Sequence, residues 1–149
     1  MISIEQIKQL REETGASPVK IKKALEESGE DLEKAKELLK SWGAVKAGEK
    51  SDRETNDGMV DFYVHPNAKS GVLLDIRCET DFVAKNPDFK NLAHEICLQI
   101  AALNPENVEV LLAQPWVKDD TKTIKDLMQQ TTAKTGENIR IEKFVRYEI

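Results

Sequence analysis

Gly71-Val72-Leu73-Leu74-Asp75-Ile76-Arg77-Cys78-Glu79-Thr80-Asp81-Phe82-Val83-Ala84-Lys85-Asn86-Pro87 holds the change from one kind of structure to another. Its first six residues have the apolar, β-branched make-up of a strand. Pro87 suits the first position of a helix with Asn86 as its cap. Phe89, Leu92, Ala93, Ile96, Cys97 and Ile100 then recur at helical spacing to about Leu103, ahead of Asn104-Pro105. The connector between strand and helix carries an acid, a bulky aromatic and an aliphatic residue. Connectors held by two rigid elements are common places for function, and an exposed Phe82 beside Asp81 suits contact with another protein. The local pattern alone favours a plainer outcome, with Phe82 and Val83 folded onto the core and Asp81 an ordinary turn carboxylate.

Upstream, Met59-Val60-Asp61-Phe62-Tyr63-Val64-His65 is rich in strand formers, and Pro66 to Gly71 supplies turn chemistry. With Val72 to Arg77 returning, this predicts an antiparallel hairpin. Downstream, Ile124, Leu127, Met128 and Ala133 predict a helix over 123–135, stopped by Gly136. Asn138 to Ile149 reads as a last strand, in which Phe144 and Val145 fall out of phase with Ile139 and Ile141 and suggest a bulge. The sum is an α+β core: a three-stranded, all-antiparallel sheet packed with helices. Its open face and short edges are ones that a second copy of the chain can cover.

The first 43 residues predict three short helices. Ser3 and Gln6 make a capping box ahead of Ile4, Ile7 and Leu10, with a stop near Thr14-Gly15. Ser17-Pro18 opens the second, which carries Val19, Ile21, Ala24 and Leu25 and ends at Gly29. Asp31 caps the third, with Leu32, Ala35, Leu38, Leu39 and Trp42, closed by Gly43. Turns this short predict a compact bundle. Residues 44–57 are charged and small without apolar periodicity and read as a linker, flexible or partly helical, before the core over 58–149.

Composition removes several classes of function. A formal net charge of −5 argues against a nucleic-acid-binding face. No apolar run is long enough to span a bilayer, the N-terminus lacks a signal pattern, and two cysteines make no disulfide framework, so a reduced cytoplasmic setting is expected. Cys78 has no evident base or oxyanion site, although Glu79 adjoins it and His65 lies on the preceding strand. His94 and Cys97 share a helix face without a matching pair of metal ligands elsewhere. No glycine-rich phosphate loop is present. The expectation is a protein without metal, cofactor or catalysis of its own.

Cys78-Glu79-Thr80-Asp81-Phe82-Val83-Ala84, followed by a Phe-containing helix, resembles the signature segment of the elongation factor Ts family. The resemblance continues through Tyr63-Val64-His65, Gly71-Val72-Leu73, Gln99-Ile100-Ala101-Ala102, Gln114-Pro115-Trp116, Lys122 to Leu127, Gly136-Glu137-Asn138-Ile139 and Phe144-Val145-Arg146, in family order. At the N-terminus, Leu10-Arg11, Thr14-Gly15-Ala16, Lys22-Lys23-Ala24-Leu25 and Asp31 to Ala35 resemble the family's ubiquitin-associated-type module. Ser17-Pro18-Val19-Lys20-Ile21 departs from the Met-rich run usual there. One copy of the core is present, as in the short members. The resemblance implies a guanine nucleotide exchange factor that acts by binding the GTPase domain of elongation factor Tu, with a homodimer through the core. It implies that Phe82 and Asp81 form a wedge at the partner's magnesium and phosphate site, positioned by Thr80 and Val83. Leu10, Arg11, Val19, Lys22, Lys23 and His65 are further candidates for partner contact. The rival reading is an adaptor in which the helical module captures a peptide or protein without exchange.

Overall fold

Helix α1 (Ile4–Thr14) begins with Ser3 and Gln6 in a reciprocal capping box and ends on Gly15 in the left-handed conformation. Ser17 caps α2 (Pro18–Glu27), and Asp31 caps α3 (Leu32–Lys50). The computed structural model describes residues 1–149, the side chain of Lys46 excepted. Leu10, Ile21, Ala24, Leu25, Ala35 and Leu39 meet in one small apolar cluster where the three helices pack.

Here the sequence prediction needs a correction. Gly43 does not close the third helix, which continues through Gly48 to Lys50. A helical glycine costs about 1 kcal/mol relative to alanine, and packing routinely overrides that. Helix α3 packs against α7 (Ile124–Thr135), and its last residue and those after it are stitched to the turn beyond α7. Lys50 Nζ donates to the Gly136 carbonyl at 2.9 Å, and Asn138 Nδ2 donates to the carbonyls of Ser51 and Arg53 at 3.2 and 2.9 Å.

Strands β1 (Asp57–Val64), β2 (Ser70–Cys78) and β5 (Arg140–Glu148) form the expected antiparallel sheet in the order β1-β2-β5. Gly58 enters β1 at φ 149°, where a Cβ would stand 2.1 Å from the Ile76 carbonyl oxygen, so no larger residue fits. The predicted bulge is present. Asp75 pairs with Lys143 and Ile76 with Ile141, which leaves Glu142 as the extra residue.

Helix α5 (Pro87–Leu103) lies on the inner face of the sheet, burying Phe89, Leu92, Ala93, Ile96, Cys97 and Ile100 against Val72, Leu74 and Ile76. Arg146 on β5 donates twice to the Ala101 carbonyl, at 3.2 and 3.0 Å, which places a cation at the end of α5 where the helix dipole favours one. Residues 104–122, for which no element was predicted, hold α6 (Val108–Ala113) and a small ribbon of β3 (Pro115–Trp116) and β4 (Asp119–Thr123). Gln99, fully buried on α5, organises it: its amide nitrogen donates to the Pro115 carbonyl and its oxygen accepts from the Val117 amide.

Polar contacts set the bundle against the core. Lys122 and Gln130 donate to the Glu13 carbonyl, and Lys40 Nζ pairs with Asp126 at 3.2 Å. Asp126 also closes a capping box with Thr123 at the start of α7. Burial raises the cost of its charge, but the Thr123 amide and Lys40 outweigh this and hold the carboxyl below the usual range. Among the described residues no helix is long and apolar enough to cross a membrane.

Candidate functional site

Strand β2 ends at Cys78, and Asn86 caps α5, so the seven residues between must reverse the chain in little space. They do so through a single helical turn, α4 (Asp81–Ala84), whose cap is Thr80: its Oγ1 accepts from the Val83 amide at 3.3 Å. Val83 and Ala84 are buried in the main core. Successive residues of a helix point about 100° apart, so burying 83 and 84 aims residue 82 roughly 150° from the inward direction. Phe82 accordingly stands in solvent with 87% of its surface exposed. The plainer reading, Phe82 folded onto the core, does not hold, whereas for Val83 it does.

Asp81 is exposed beside Phe82 and pairs with Lys85 at 2.8 Å on the open surface, where such a pair is readily exchanged for water or another partner. Glu137 reaches the same segment from the turn after α7. Its Oε1 accepts from the amides of Glu79 and Thr80 at 3.2 and 3.0 Å, and its Oε2 accepts the Thr80 hydroxyl proton at 2.7 Å. Glu79 answers by accepting from the Asn138 amide at 2.8 Å. Gly136, at φ 76°, supplies the left-handed residue that turns α7 towards this contact.

The remaining candidates separate. Arg11, Val19, Lys22 and Lys23 lie exposed on the bundle. Arg11 faces Asp88, near the start of α5, across a shallow cleft of about 460 Å³ shared with Lys134. Lys23 stands over the Trp42 ring at 5.5 Å. Leu10 is fully buried in the bundle core and offers no surface to a partner; its place in the apolar set of α1 already pointed there. His65 is exposed at the hairpin turn, at the opposite end of β2 from Cys78. At about 3.4 Å per residue, that separates it from Phe82 by roughly 20 Å or more.

Both cysteines lie where the thiolate is disfavoured. Cys78 is buried and donates to the Thr80 carbonyl, and its thiol is pushed up to about 11 by burial and then by the charge of Glu137. Cys97 is pushed up to about 12, chiefly by burial, while His94 on the same helix faces solvent. Sequence reasoning placed no role on Glu137. Its partners lie 57 and 58 residues away along the chain, and nothing in the local pattern announces them.

Residues 79–149, beginning at this segment, match the family model described as Elongation factor TS. Over nearly its full length the chain is similar to Elongation factor Ts of Coprothermobacter proteolyticus, with 41% identity over 99% of this chain and 98% of the relative. It is likewise similar to Elongation factor Ts of Rubrobacter xylanophilus, at 39% identity over 98% of both chains, and of Thermotoga petrophila, at 40% over 99% of this chain and 96% of the relative. The first alignment runs over 193 positions against 149 residues here, so that relative carries residues without a counterpart in this chain.

Proposed function

The chain belongs to the elongation factor Ts family, and from that membership we propose that it is a guanine nucleotide exchange factor that promotes GDP release from elongation factor Tu by binding alone. Phe82 carries this reading. Leaving a Phe side chain in water forgoes about 2 kcal/mol of burial, and here its immediate neighbours are anchored and capped so that it stays outside. A rigidly held, exposed aromatic next to a carboxylate is suited to enter a pocket on another protein.

In this reading Phe82 wedges between side chains of the partner's GTPase domain, and Asp81 disturbs the elements that support its magnesium ion. That ion neutralises and orients the diphosphate, so loosening its surroundings weakens nucleotide retention. The factor must bind the nucleotide-free partner more tightly than the nucleotide-bound one, and by linkage each ligand then weakens the other. The bundle of residues 1–43 docks beside the wedge through Arg11, Val19, Lys22 and Lys23, and the core over 58–149 delivers it, in the cytoplasm. His65, far from the wedge, touches the partner at most at a separate point. The test is release of a fluorescent GDP analogue from a bacterial elongation factor Tu, chased with unlabelled GDP. The wild-type chain should accelerate it; a folded chain that gives no acceleration with a cognate partner sinks the proposal.

The core further works as a homodimer through the outer face of the sheet. Register brings Phe62, Leu73 and Val145 into one row and Val64 and Tyr147 into the next, with Val60 adjoining, all exposed. Asp75, Arg77 and Lys143 occupy the end of the face nearest the wedge. A second copy matches apolar rows to apolar rows and leaves the charged end, and the wedge, open. Leu73→Lys, at the centre of the face, is expected to convert the dimer to a folded monomer in sedimentation analysis. A wild-type chain that is monomeric at high concentration removes the dimer.

A further inference from the structure

We propose that Glu137 is the positioning residue of the wedge: through Thr80 it sets the direction in which Asp81 and Phe82 project. The inference rests on the reading of Asp81–Phe82 as the exchange tip.

A helix of one turn is unstable by itself, so the aim of α4 is set by what anchors it. Burial of Val83 and Ala84 fixes its inner side. Its leading end hangs on the Thr80 hydroxyl, which has one proton to give and lone pairs to receive. Glu137 Oε2 takes the proton at 2.7 Å, which leaves the lone pairs turned to the Val83 amide. Carboxylate, hydroxyl and amide form a relay in which each bond strengthens the next. Meanwhile Oε1 receives two successive backbone amides, those of Glu79 and Thr80, and so fixes the peptide plane at which β2 turns into the wedge.

Accepting three donors and donating none is what a carboxylate does and an amide side chain cannot. The choice has an electrostatic cost. Asp57, Asp81 and Glu137 each oppose ionisation of the buried Cys78 thiol, so Glu137 stands near other carboxylates, with Lys85 paired to Asp81 and Arg53 3.8 Å from Glu79. The reciprocal bond from the Asn138 amide to Glu79, and the bonds from Asn138 to the carbonyls of Ser51 and Arg53, tie the brace to the end of α3. The brace therefore rests on fixed structure on both sides.

Glu137→Gln swaps one acceptor oxygen for a donor, so it either loses the two amide bonds or reverses the hydroxyl bond, with the Gln nitrogen donating to Thr80 Oγ1 and the Thr80 proton no longer held by a carboxylate. At saturating factor the rate of GDP release should fall about tenfold while the half-saturating concentration changes by less than about twofold. The thermal midpoint should hold, and the amides of Glu79, Thr80 and Val83 should exchange hydrogen faster. Thr80→Val should slow release as well, and the double variant should be no slower than the slower single one, because both act on one relay. Multiplying effects, a parallel loss of rate and thermal midpoint, or an active wild type with an equally active Glu137→Gln would each overturn the inference. An inert wild type is a different result: it removes the exchange reading itself, and this inference with it.

Discussion

Phe82→Ala is expected to slow factor-stimulated GDP release by about 30-fold or more, with the thermal midpoint unchanged. The first half follows from the energetics of interface anchors: truncating a central aromatic costs about 2 kcal/mol or more of binding, or a factor of about 30. The second follows from exposure. With 87% of its surface in water, Phe82 contributes almost nothing to the packing of its own chain. Stopped-flow release of a labelled GDP, run beside a thermal unfolding curve, separates the two. A midpoint that drops by many degrees would mean that the ring is packed in solution, and the wedge would lose its basis.

Seven residues on, the same substitution should do the reverse. Phe89 is fully buried at the first turn of α5, directly behind the wedge, in the main apolar cluster. Phe89→Ala removes its transfer energy and leaves a cavity, a loss of about 3–5 kcal/mol. Against a total stability of about 5–15 kcal/mol that is a large share. The denaturant midpoint should fall sharply, and the thermal midpoint should drop by about 10 °C. Exchange activity should decline in step with the folded fraction, since nothing that touches the partner has been removed. A loss below about 1 kcal/mol would show that the core closes over the gap and that α5 is held by other means.

The two phenylalanines also mark what the sequence could reveal. Phe89 belongs to a long helical period with a cap and a proline in front, and such signals are local, so α5 was legible almost to the residue. The capping box of α1, the Gly136 stop of α7 and the phase slip in β5 were legible for the same reason. Phe82 sits in a single turn, too short to show a period, and its direction depends on which of its neighbours are buried. Local pattern favoured the core; the resemblance and the geometry point outward. Gly43 looked like a stop because glycine is a weak helix former, yet contacts with residues more than eighty positions away carry α3 past it. Residues 104–122 showed no period because their organiser, Gln99, lies on another element. Glu137 was beyond reach by the same logic. A carboxylate's partners are written in the fold and not in its flanks.

The unbroken run of α3 past Gly43 has a mechanical meaning. Nineteen residues at 1.5 Å each make a strut of about 28 Å, with the bundle built on one end and the stitching next to the wedge on the other. Such a strut measures in whole residues. One residue more or fewer would swing the two ends about 100° out of phase, while a change of seven would nearly restore the phase and move them about 10 Å along the axis. On the proposed reading, in which bundle and wedge grip one partner, the two grips must match that partner's span, and the length of this strut then counts alongside the identity of its residues.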